Sequence, residues 1–301
     1  MDVPLQMPKK SGFVAIMGRP NVGKSTLING LLGQKVSAVS PRPQTTRKRQ
    51  LGILTLDRAQ IIFVDTPGVH HPRHKLGESM NRVAREALAD SDLVLFMVDA
   101  SEMPNDDDRL LARLVADLNC SEKALLILNK IDLVDPKDLP GRQAAYQELL
   151  PLADALLISA LRGDNRESLQ EAIIDRLPEG PLYYPEDQVT DFYERDIVAD
   201  FIREAALIHL REEVPHGIAI RIDEYVDRGE HTAYIAATLF IERESHKAIV
   251  IGQGGTMLKK IGSTARQQIE ALTQRKVFLE LRVRVRKSWR DDENALQSFG
   301  F

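Results

Sequence analysis

The chain has 301 residues, a net charge of −4, 43% hydrophobic residues and 28% charged ones. That length and apolar fraction suit two globular cores, and the acidic balance excludes a uniformly basic nucleic-acid binder. A single cysteine, Cys120, excludes an intramolecular disulfide framework. No apolar run approaches the roughly 20 residues of a membrane span, and residues 1–10 lack the apolar core of a secretory signal, so a cytoplasmic location is expected.

Up to about Leu177, short β-rich apolar runs alternate with helical spacing. The runs are residues 13–17, 51–56, 61–65, 93–99, 124–129 and 155–159. Several are apolar throughout, as strands covered on both faces must be. Only four residues separate 51–56 from 61–65. A crossover helix cannot fit there, so the two runs pair as an antiparallel hairpin. Residues 78–89, 109–118 and 168–177 have helical spacing. The expected fold of 12–178, after an extension of 1–11, is α/β with a doubly wound, mostly parallel sheet.

Three prolines and a glycine in residues 178–185 mark a linker, taken as 179–190. A smaller α+β domain is expected over 191–290, followed by a tail of 291–301. Within it, residues 192–213 read as a long amphipathic helix and 218–225 and 234–241 as strands. Residues 257–272 read as a helix. Residues 277–285 alternate strictly, with Val277, Leu279, Leu281, Val283 and Val285 on one face. Charge is uneven here: 191–242 carries a net −7 and 243–290 a net +9, which points to one face suited to a polyanion.

The chemistry-bearing motifs fall at strand ends, the edge where ligands bind in open α/β sheets. Gly18-Arg19-Pro20-Asn21-Val22-Gly23-Lys24-Ser25, followed by Thr26, joins the first strand to a helix-like run. Glycines let successive N–H groups turn toward phosphate oxygens, and the following helix adds its positive end. Lys24 can reach β- and γ-phosphates and the Ser25 hydroxyl can ligate Mg²⁺. Asp65-Thr66-Pro67-Gly68 ends another strand; the carboxylate can hold Mg²⁺ and the Gly68 N–H can sense a γ-phosphate. In Asn129-Lys130-Ile131-Asp132, the Asp132 carboxylate can accept two hydrogen bonds from guanine N1–H and N2–H₂, a pair that adenine lacks. Asn129 can bond the purine edge and the loop that carries Ser25, and the Lys130 stem can pack on the base. Ser159-Ala160 offers a backbone N–H to guanine O6. In the polar segment 37–50, a threonine of Gln44-Thr45-Thr46-Arg47 can close on Mg²⁺ when a γ-phosphate is present.

These residues resemble the translation-factor class of P-loop GTPases, with residues 18–25, 44–48, 65–68, 129–132 and 159–160 as its five motifs in order. The resemblance implies GTP or GDP and Mg²⁺ as ligands, catalysis resting on Lys24, Thr46 and Gly68, and Mg²⁺ at Ser25, Thr46 and Asp65. Thr45 is the alternative to Thr46. Val69 stands where many GTPases carry a water-orienting glutamine, so intrinsic hydrolysis is expected to be slow. Asn21 either coordinates K⁺, as in some related GTPases, or only shapes its loop. His70, His71 and His74 are read as exposed residues of a switch segment rather than a metal site.

A second motif, Ile251-Gly252-Gln253-Gly254-Gly255, precedes a helix carrying Lys259, Lys260 and Arg266. It resembles the KH module, whose G-x-x-G loop clamps about four nucleotides of single-stranded RNA. The element order resembles the type II KH arrangement. That implies a short helix over 245–251, although the β-branched residues there read as strand. Trp289 either stacks on a base or anchors the chain end. Over the whole chain, a GTPase followed by a KH domain resembles the bacterial Era GTPase family. The resemblance implies a monomeric cytoplasmic factor that binds 16S ribosomal RNA near its 3′ end and assists maturation of the 30S subunit. It also implies peripheral association with the cell membrane, which nothing in the residues indicates independently.

Overall fold

Period-2 alternation in each apolar run sends successive side chains into two different cores, and this organises the larger half of the protein. The computed structural model describes residues 9–39, 47–67, 74–211, 213–229 and 231–301. They fall into two units: 9–36, 47–67 and 80–191 in the first, and 37–39, 74–79 and 192–301 in the second.

The first unit is a six-stranded sheet in the order β2-β3-β1-β4-β5-β6. Its strands are β1 (Lys10–Met17), β2 (Gln50–Leu56), β3 (Ala59–Asp65), β4 (Leu93–Asp99), β5 (Ala124–Asn129) and β6 (Asp154–Leu157). All pairings are parallel except β2 with β3, the hairpin expected from the short spacing. Val14 and Ile16 point to one face, with α1 (Lys24–Leu32) and, through Ile173, the later helix α5. Ala15 and Met17 point to the other, with α2 (Lys75–Asp90), α3 (Asp106–Asp117) and Tyr146 of α4 (Leu139–Gln147). Helix α5 is Arg166–Arg176. Every residue of β4 is buried, the burial expected of a central parallel strand. Cys120 is buried among apolar neighbours.

The proline-rich segment is tied to the first unit rather than hanging free. Lys10 bridges Glu179 and Gly52 bridges Thr190, and Ile53 N donates to Val189 O at 2.7 Å. Gln60, wholly buried, accepts from the N–H groups of Tyr183 and Tyr184 and donates to Tyr184 O. Prolines lack the donor to form a regular strand, so a side-chain amide supplies the missing bonds.

The second unit contains helices α6 (Glu194–His209), α7 (Glu244–Ile251), α8 (Thr256–Thr273) and α9 (Glu293–Ser298). Its sheet runs β7 (Ala219–Asp227), β8 (Thr232–Ile241), β9 (Lys276–Val285). β7 and β8 are antiparallel, β8 and β9 parallel, with α7 and α8 forming the crossover. Ile235, Leu239 and Val277 face a core shared with Phe201 of α6 and Ile261, Ala265 and Ile269 of α8.

One open choice is decided and one local expectation is corrected. The stretch 245–251 is helical, as the KH resemblance implies, despite its β-branched residues; only Val250 is buried, and about two turns pinned to the core override the propensity. The helix expected to reach residue 213 ends at His209, where Leu210 turns extended and buries its side chain; Pro215 then opens a short 3₁₀ turn. Trp289 is an anchor: it is fully buried, donates Nε1–H to Gly217 O at 2.9 Å and packs edge-on against Phe299.

Candidate nucleotide site and RNA groove

The C-terminal ends of β1, β3, β4 and β5 bring most of the sequence-selected residues together. After β1 the chain curls through Gly18–Gly23 into α1. Gly23 has φ 108°, and a Cβ there would lie 2.3 Å from Asn129 Nδ2, so only glycine fits. Val22 is buried in the core while Asn21, at φ 66°, is exposed at the tip. Lys24 is buried, and its Nζ donates to Gly18 O at 2.8 Å and Arg19 O at 3.0 Å. Burial pushes its pKa down to about 8, against the opposing pull of Asp65. Arg19 is turned away along the loop's flank, paired with Glu102 at 2.5 Å and with buried Asp108 at 3.3 Å. Pro20 and Thr26 are half-buried beside the loop.

Ser25 Oγ donates to Asp65 Oδ2 at 3.1 Å. Two hard oxygen donors at the mouth of a phosphate loop suit Mg²⁺, which is commonly held by one or two protein oxygens plus substrate phosphates. Among the described residues no group of three or more His, Cys, Asp or Glu side chains could hold a metal. The Thr66 hydroxyl donates to Ile16 O at 2.8 Å, fixing the start of the Asp65-Thr66-Pro67 turn to β1. Pro67 is buried. Thr45, Thr46, Gly68, Val69, His70 and His71 lie outside the described residues.

The Asn129 amide joins two loops of the site. Nδ2 donates to Val22 O at 2.6 Å and Oδ1 accepts from Ala160 N at 2.8 Å. The side chain therefore clamps the phosphate loop to the segment after β6. Ser159 Oγ donates to Asp132 Oδ1 at 2.6 Å and accepts from Arg162 N at 3.1 Å, which fixes the carboxylate's orientation. Lys130, at φ 66°, bonds Asp99 Oδ2 at 2.6 Å. Burial opposes the Asp99 charge, but bonds from Lys130 and Ser101 hold its pKa below the usual range. Sequence reasoning passed over Asp99; the signal was a carboxylate closing a wholly apolar strand beside the other motif-bearing ends.

In the second unit, α7 ends at Gly252, whose φ is 73° and whose added Cβ would meet Met257 N and Cβ at 2.7 Å. Ile251 is half-buried, and Gln253 and Gly254 are exposed beside Gly255. Around Gly254 and Gly255 nothing lies within 4 Å of an added Cβ. Lys259, Lys260 and Arg266 are exposed on α8. A groove of about 450 Å³ runs from Gly255 between Leu258 and Arg266 of α8 and Leu279 and Leu281 of β9. Apolar walls with cations at the rim suit bases below and phosphates above.

The doubly wound sheet with its phosphate loop, followed by a helix–strand–strand–helix–helix–strand unit, defines a P-loop GTPase joined to a type II KH domain. A family model described as 50S ribosome-binding GTPase matches residues 13–130, and a KH domain model matches 213–290. The chain is 44% identical over 292 residues to GTPase Era of Heliobacterium modesticaldum, covering 97% of each. It is 47% identical to GTPase Era of Clostridium botulinum strain Hall, covering 97% of this chain and 98% of the relative. A crystal structure of Era with MgGDPNP and nucleotides 1506–1542 of 16S ribosomal RNA matches at TM-score 0.92 and 40% identity, over 97% of this chain and 99% of that one. A variant of Aquifex aeolicus Era bound to GDP·AlF₄⁻ matches at 0.91 and 40%, with the same coverage. The chain belongs to the Era family of GTPases.

Proposed function

We propose that this GTPase binds GTP with Mg²⁺, hydrolyses it slowly, and binds 16S ribosomal RNA near its 3′ end through its KH groove to assist 30S subunit assembly. The observation that carries the reading is the carboxylate of Asp132, held by Ser159 beside the phosphate loop. A fixed acceptor pair there favours guanine, because adenine would leave it unpaired. RNA binding is supported by the basic, glycine-opened groove along α8 and β9 and by the RNA in the related Era structure.

In this reading the N–H groups of 18–25 and the Lys24 ammonium bind the phosphates, and Ser25 and Asp65 hold Mg²⁺, with Thr46 completing the set. Mg²⁺ supplies neutralisation of charge on the β- and γ-phosphate oxygens. Gly68 senses the γ-phosphate, Lys130 packs on the base, and the Ala160 region faces guanine O6. K⁺ at Asn21 assists turnover. Gly252, Gln253, Gly254 and Gly255 admit the RNA backbone, Ile251 borders the bases, and Lys259, Lys260 and Arg266 attract phosphates. The protein acts as a cytoplasmic monomer that also touches the membrane surface; among the described residues no helix is long and apolar enough to cross one.

The test measures affinity for an RNA of nucleotides 1506–1542 with GDP and with a non-hydrolysable GTP analogue. It also measures GTP turnover with and without that RNA, in K⁺ and in Na⁺. Tighter RNA binding with the analogue and faster turnover in K⁺ are expected. Equal RNA affinity in both nucleotide states overturns the switch, and equal turnover in the two salts removes K⁺.

A further inference from the structure

The sheet of the second unit has a face turned away from its helices, and its two ends differ. At one end Phe240 is only 7% exposed, covered by Phe299 at 4.9 Å, which in turn packs edge-on against Trp289. At the other end a row of apolar side chains crosses all three strands in register: Val226 opposite Tyr234, and Tyr234 opposite Phe278. Phe278 is 63% exposed and Val226 47%. The Tyr234 and Phe278 rings are stacked, 5.8 Å apart and 20° from parallel, and the Arg228 guanidinium lies 4.6 Å from the Tyr234 ring centre.

A single exposed phenylalanine needs no explanation. Here three further features coincide. Phe278 stands on β9, the edge strand, and also borders the groove beside α8, so the aromatic row continues that groove around the edge of the sheet. Lys276, Arg282 and Arg284 are exposed along the same strand. The one carboxylate on the strand's outer face, Glu280, is engaged by Tyr234 Oη at 2.7 Å and by Arg282 at 2.6 Å, which offsets its repulsion of phosphate.

We propose that Phe278, backed by Tyr234, is a stacking platform for a base of single-stranded RNA that leaves the groove over the edge of β9. The inference rests on the RNA-binding reading above and extends its footprint. An aromatic ring on an exposed strand, with arginine and lysine beside it to meet phosphate, is the chemistry by which bases are held without sequence readout.

The test uses the full-length protein, the 1506–1542 RNA and fragments truncated from either end, some carrying 2-aminopurine at single positions. Phe278→Ala is expected to weaken binding of the long RNA about tenfold and to abolish 2-aminopurine quenching at one position. Fragments short enough to fill only the groove should lose less affinity than the long RNA, since Phe278 only borders the groove, and Phe278→Trp should retain wild-type affinity. Unchanged affinity of Phe278→Ala for every fragment overturns the platform alone. So does a change in self-association with RNA binding intact, which would make the row a protein contact. Failure of the wild type to bind any fragment overturns the RNA reading and the platform with it.

Discussion

The two candidate sites are built on opposite plans. In the nucleotide site nearly every polar side chain is already held by another: Asn129 by Val22 and Ala160, Asp132 by Ser159, Lys130 by Asp99, Ser25 by Asp65. At the KH site Gly254 and Gly255 are open and Lys259, Lys260 and Arg266 stand exposed. The difference follows from what each must recognise. A base is distinguished from another by two hydrogen bonds, which requires acceptors fixed before the ligand arrives. A flexible phosphate backbone is attracted by charge and admitted by space.

The contrast breaks first, and most visibly, at Asp132. Asp132→Asn should lower GTP affinity by about 10³-fold and raise affinity for xanthosine triphosphate, whose O2 accepts where guanine donates. Competition between the two nucleotides for a fluorescent GDP measures this; a variant that still prefers guanine would show that the fixed carboxylate does not select the base.

At the KH site the corresponding change adds a charge without disturbing geometry. Gly252 is unsuitable, since any side chain there meets Met257. Around Gly254 nothing lies within 4 Å, and aspartate tolerates its positive φ. Gly254→Asp should weaken binding of the 1506–1542 RNA by about tenfold or more while GTP binding and the thermal midpoint stay unchanged. Loss of GTP binding in this variant would mean that the two sites are not separable as drawn.

The smallest effect is a protonation change at Lys24. Its pKa of about 8 should rise when phosphate oxygens surround it. A group whose pKa rises on binding contributes its full attraction below its free value and loses it as pH climbs through the bound value. GTP affinity should therefore be flat below about pH 8 and fall by up to tenfold per unit above it. Calorimetry at pH 9 in buffers of different ionisation enthalpy should report about one proton taken up per GTP, and almost none at pH 6. Equal uptake at both values would place the titrating group elsewhere.

Much of this was legible in the residues. The succession of strands along the chain, the β2–β3 hairpin and both glycine-bearing loops were readable because apolar period and glycine placement are local consequences of covalent geometry. The division of labour inside the nucleotide site was not. Asn129 is legible as a bridge from the phosphate loop to a purine, but its second partner, Ala160 N, is not; nor is the bond of the Thr66 hydroxyl to Ile16 O. For 245–251 the branched residues favour strand and the KH resemblance favours helix, and the tertiary structure decides for helix. The proline-rich segment reads as a linker and is bonded to β3 through Gln60 and to β2 through Ile53 N and Leu51 O.

The sequence by itself determined which residues can meet phosphate, guanine and RNA, because those capacities belong to side-chain chemistry and backbone freedom. Only the tertiary structure decided which of them are already committed. A hydrogen bond such as Gln60 to Tyr184 joins residues 124 positions apart, and nothing local in either one announces the other. The exposed row from Val226 to Phe278 has the same origin: three strands supply one residue each, and only their register makes a surface of them.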